Sequence, residues 1–106
     1  MAYPTIILSS LKVQGMAIFP FILLRDHAGK NNEKLIRHET IHLRQQLEML
    51  VLPFYLLYII LYLVNRLKYD HHKAYLNIVF EREAYAKENN LAYLKSRKWY
   101  SWLMYF

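Results

Sequence analysis

His38, Glu39, Thr40, Ile41 and His42 spell H-E-x-x-H. On a helix, residues four apart sit about 40° apart around the axis and about one turn apart along it. The two imidazoles can therefore point the same way and share one metal ion. Glu39 lies about 100° from His38, near enough to hold a water on that ion without taking a ligand position. Two histidine ligands with a glutamate general base are the arrangement of a zinc metallopeptidase. Zinc used for catalysis keeps three protein ligands and one open position, so the chain must supply a third ligand elsewhere.

The motif needs a helix. Asn31 or Asn32 can cap one, with Glu33 favourable in its first turn. No Gly or Pro follows before Leu50, and Leu35, Ile36, Leu43, Leu47 and Leu50 recur at helical spacing. A helix is therefore expected from about Asn32 to Leu50, with Gln45 and Met49 following the histidines on the same face. Asp70 can cap a second helix, from about His71 to Asn90, with Ala74, Ile78, Glu81 and Tyr85 on one stripe. That stripe makes Glu81 the inward carboxylate and the expected third ligand. Glu83 points about 200° away, has Lys87 one turn on, and is expected in solvent. Tyr85, one turn beyond Glu81, is a candidate to stabilise an oxyanion or to orient a ligand. His71 and His72 are adjacent and cannot both face one cleft. Either is a further candidate for a donor or for the third ligand.

The rest of the chain has to bring these two helices together. Thr5 to Leu8 and Met16 to Leu24 read as strands with a turn between them. Pro20 cannot donate to a ladder, so the second run is expected at an edge or with a bulge. Such an edge is either plain core or a place where an extended peptide pairs. Arg25 to Asn32 is a polar loop around Gly29. Met49 to Val64 is uncharged and almost wholly apolar, with Pro53 suited to a first helical turn. It is short of the ~20 residues a span requires. A single crossing would also put Glu81 and His42 on opposite sides of a bilayer. A core helix, or one lying shallowly in a membrane surface, is expected instead. Tyr55, Tyr58 and Tyr62 give it a polar edge. The tail, Leu91 to Phe106, reads as one short helix and an aromatic end. It either closes the core, anchors at an interface, or folds over the site.

A chain of 106 residues is expected to be one domain, 1–106. Two Gly and three Pro, with 56% hydrophobic residues, point to a helix-rich α+β fold. About four helices are expected beside a small N-terminal hairpin or sheet. The net charge of +6 suits an anionic partner, but the basic residues are spread out and no nucleic-acid module is present. A membrane surface is the candidate partner besides a peptide or protein substrate. No Cys is present, which excludes thiolate ligands. The N-terminus lacks a signal-peptide pattern, since Pro4 comes early and Lys12 interrupts the apolar run. A cytoplasmic or peripherally membrane-associated protein is expected.

H-E-T-I-H on one helix and F-E-R-E-A-Y-A at residues 80–86 on a later one resemble the gluzincin metallopeptidases. The likeness is to the HtpX and CAAX-prenyl-protease group, whose second motif reads approximately E-x-x-A-D-x-(F/Y)-A. Its glutamate ligand falls on Glu81 and its alanine on Ala84. Its aspartate, which supports a zinc-binding histidine, falls on Tyr85, a departure from the pattern. The size resembles the single-domain minigluzincins. The resemblance implies a small sheet whose edge strand guides substrate, zinc as cofactor, peptide-bond hydrolysis, and latency imposed by a terminal segment. The alternative is a catalytically inactive, zinc-stabilised binding or accessory module at a membrane surface.

Overall fold

Helix α1 (Glu33–Glu48) is the element on which the others pack. The computed structural model describes residues 3–106, so the first two residues of the expected domain lie outside the described residues. Asn32 caps α1 as its position suggests, its side chain accepting from the Leu35 N–H at 3.1 Å. Every residue from His38 to Leu43 is buried. A helix so enclosed needs cover on several sides, and three elements provide it.

The first is a three-stranded sheet of β1 (Thr5–Ile7), β2 (Gly15–Ile18) and β3 (Phe21–Leu24), in the order β1-β3-β2. β1 runs parallel to β3, and β2 antiparallel to it. The run expected as one strand, Met16 to Leu24, is thus a hairpin. Pro20 sits in its turn, where the missing N–H costs no ladder bond, and of the two halves of that run β2 lies at the sheet edge while β3 is central. Ala17, Ile22 and Leu24 pack with Leu43 of α1.

The second is α2 (Leu52–Arg66), bent 112° from α1. Leu50 and Val51 both take positive φ, 58° and 63°. The Leu52 N–H donates to the Leu50 carbonyl at 2.7 Å, closing a γ-turn of the rarer hand. Pro53 stands in the first turn of α2 as its fixed φ favours. Phe54 buries against Phe80 with ring centroids 4.6 Å apart. No helix among the described residues is long and apolar enough to cross a membrane, although α1 and α2 together form a bent apolar pair.

The third is the C-terminal half. The helix expected from His71 to Asn90 is two helices, α3 (His71–Leu76) and α4 (Val79–Lys87). Asn77 ends the first, its amide donating to the Lys73 carbonyl at 2.8 Å, and Ile78 is extended. Asp70 caps α3 as expected, accepting from the Lys73 N–H at 2.9 Å. A short α5 (Tyr93–Ser96) and a 3-10 turn at Ser101–Tyr105 follow, giving five α-helices among the described residues where about four were expected. Trp102 lies against Phe80, so the tail closes the core behind α4.

Candidate metal centre

α1 and α4 bring His38, His42 and Glu81 to one point. The Nε2 atoms of the two histidines are 3.2 Å apart. Glu81 Oε1 lies 3.2 Å from His38 Nε2 and 3.0 Å from His42 Nε2. Donor atoms about 2.0–2.1 Å from a tetrahedral zinc lie about 3.3 Å from one another. The three atoms are therefore spaced as neighbouring corners of such a tetrahedron, and all three residues are buried. His71 and His72 do not join them. His71 Nδ1 is instead 2.8 Å from the Tyr62 hydroxyl, and both residues line the outer part of the cleft.

The far side of each ligand is also fixed. His38 Nδ1 is 2.9 Å from Glu88 Oε2, and His42 Nδ1 is 2.8 Å from Gln45 Oε1. Both acceptors are oxygens, so each imidazole places its proton on Nδ1 and turns its Nε2 lone pair to the centre. Gln45 is itself anchored, its amide donating to the Phe80 carbonyl at 3.1 Å and to Glu83 Oε1 at 2.9 Å. The Tyr58 hydroxyl donates to Glu81 Oε2 at 2.7 Å, which leaves Oε1 to face the two histidines.

Electrostatics follow from this crowding. Burial works against the Glu81 charge, but His42, His38 and the Tyr58 hydroxyl outweigh it and hold the carboxyl well below 4.5. Burial also disfavours protonated His42, yet Glu81 beside it pushes the imidazole up to about 9. Two nitrogens and a carboxylate oxygen this close demand a positive charge among them, either a proton on His42 or a divalent cation.

Glu39 stands apart from the ligands. Burial raises its carboxyl above 4.5, with His42 and His38 pulling the other way. It lines both arms of the cleft, as His38 does. One arm, of about 850 Å³, carries Lys12, Arg25 and Lys34. The other, of about 310 Å³, carries Met16, Ala17, Phe54 and Tyr55. No residue beyond Glu88 lines either arm, so the tail does not cover the centre. Tyr85 packs edge-on against the His38 ring with centroids 4.5 Å apart. Its hydroxyl is 2.8 Å from that of Tyr75, which lines both arms.

Three residues of this network were not singled out for it in the sequence. Glu88 and Tyr58 lie on other elements than the histidines they serve or adjoin, and spacing along one helix carries no sign of them. Glu83 is the opposite case. Expected in solvent, it is buried and bonded to Arg97, Tyr93 and Gln45. The tail folds back over its face of α4 and takes solvent's place there.

Comparison with known proteins adds no assignment: no family model, curated protein or solved structure matches the chain.

Proposed function

We propose that this protein is a zinc-dependent metallopeptidase, with His38, His42 and Glu81 holding the metal and Glu39 as general base. The observation that carries the reading is the convergence of three donor atoms within 3.0–3.2 Å, with an unligated glutamate beside them in an open cleft. When bound, zinc supplies the Lewis acidity that makes water a nucleophile near neutral pH and polarises a carbonyl.

The chain's own residues do the rest. Glu39 takes a proton from water and returns it to the leaving amine. Tyr75 and Tyr85 share one hydrogen bond between two hydroxyls, which leaves one phenolic proton to give to an oxyanion.

β2 supplies the means to hold an extended peptide. The Arg25 N–H donates to the Gln14 carbonyl, which puts Gln14, Met16 and Ile18 in hydrogen-bonded pairing with β3. The backbone groups of Gly15 and Ala17 then face the open edge beside the cleft. The Ala17 carbonyl is taken by Gln46 and Tyr55, while the Gly15 groups remain for a substrate strand. The cationic arm suits acidic residues on one side of the scissile bond, and the apolar arm suits hydrophobic residues on the other.

The test combines zinc analysis with a peptide library. Wild type should hold one zinc and cleave. Glu39→Gln should hold the same zinc and lose hydrolysis by about 10²–10⁴-fold. Zinc at full occupancy with no cleavage by wild type would favour the non-catalytic binding module, and absence of zinc would remove the centre altogether.

A further inference from the structure

α2 is apolar on two opposite sides, and only one of them is used. Phe54, Leu57, Tyr58 and Leu61 pack inward. Leu52, Leu56, Ile59, Ile60, Leu63 and Leu67 face out, from 46% exposed at Ile60 to 86% at Leu67. Helical spacing places them on one stripe opposite Phe54, and Val64, also exposed, borders it. No charged residue interrupts the sequence from Met49 to Asn65. A continuous apolar helix face of this kind is a docking surface rather than scattered surface leucines.

The charge distribution identifies what it docks on. Of the eight acidic residues, Glu39, Glu48, Glu81, Glu83 and Glu88 are turned inward to the metal centre or to Arg97 and His38. Only Asp26, Glu33 and Asp70 face solvent. Fourteen Lys and Arg stand against them, with Arg97 alone enclosed among carboxylates. The outer surface is thus far more cationic than the net charge of +6 indicates. A second copy of the chain would bring the same positive surface to the contact. An anionic lipid surface brings the opposite charge, together with an apolar layer just beneath it.

We infer that the outer face of α2 rests in the plane of an anionic bilayer surface. Arg66 and Lys68 at the end of the stripe would reach the headgroups. The helix lies in the surface and does not cross it: its 15 residues reach about 22 Å against a hydrocarbon core of about 30 Å. The same helix meets the metal centre with Tyr58 on its other side, so docking would set the cleft close to the membrane. The inference does not rest on hydrolysis.

Flotation of the full chain with vesicles tests it. One set is phosphatidylcholine alone, and the other contains about 30 mol% phosphatidylserine. Wild type should partition at least about tenfold more strongly to the anionic vesicles, and added salt should weaken it. The double substitution Leu56→Gln and Leu63→Gln lies on the exposed stripe. It should keep the fold by circular dichroism and lower partitioning by about tenfold or more. Failure of wild type to float, equal flotation with neutral vesicles, or undiminished flotation of the double variant each overturns the inference. So does a dimer in ultracentrifugation that the double variant makes monomeric, since a second copy then covers the face.

Discussion

Glu88 Oε2 sits 2.9 Å from His38 Nδ1 and joins the end of α4 to the start of the H-E-x-x-H motif. This carboxylate, one turn after Tyr85, does for His38 what the resemblance assigned to an aspartate at position 85. A carboxylate on the far nitrogen fixes the tautomer and makes Nε2 a better donor. Glu88→Ala should therefore weaken zinc binding by about 10–100-fold in competition with a chelator. Glu88→Gln keeps an oxygen acceptor and should lose less. Equal affinity in wild type and Glu88→Ala would show that His38 needs no such support.

Gln45 plays the matching part for His42, but through a chain of contacts. It accepts from His42 Nδ1 and donates to Glu83, and Glu83 is bound in turn by Arg97 of the tail. Gln45→Met fills the same space without either bond. It should reduce zinc affinity about tenfold or more, with the fold intact by circular dichroism. An unchanged zinc titration would mean that packing alone orients His42.

The motif helix, its cap at Asn31 or Asn32, the Asp70 cap and the inward stripe that carries Glu81 were legible in the sequence. They depend on spacing within one helix or on a side chain binding its own turn. What was not legible depended on contacts between distant segments. Spacing along one helix puts Glu83 outside, because it carries no information about a tail that returns with Arg97. Asn77 likewise broke an apparently continuous helix by bonding Lys73 and Arg82, a choice that helical periodicity does not encode. Tyr85 is held near the centre by a ring edge against His38 and a bond to Tyr75, contacts that spacing along its helix does not show.

That tyrosine pair separates binding from catalysis. Tyr75 feels the Glu81 charge, which together with burial keeps its hydroxyl protonated. If it is the donor to an oxyanion, Tyr75→Phe should lower kcat by about 10²–10³-fold while zinc content stays at the wild-type level. Tyr85→Phe should have the smaller effect, since Tyr85 is the more exposed of the two and packs on His38. A Tyr75→Phe enzyme with unchanged kcat would move the donor elsewhere.

The tail contributes stability with a defined pH dependence. Arg97 bonds Glu83 at 2.5 and 3.1 Å and Glu48 at 2.7 and 3.1 Å, and all three side chains are almost wholly enclosed. Removing the cation strands two buried carboxylates, so Arg97→Met should cost about 3–5 kcal/mol in urea unfolding at pH 7. Burial opposes the Glu83 charge, but Arg97, Tyr93 and Gln45 outweigh it and hold its carboxyl below 4.5. A group depressed in the folded state adds stability that is fully present above its unfolded pKa. That stability is lost as pH falls through the folded value. The stability difference between wild type and Glu83→Gln should thus be largest near neutrality and shrink steadily below about pH 4.5. A difference that stays constant from pH 7 to about pH 3 would mean the Glu83 charge contributes nothing to holding the tail.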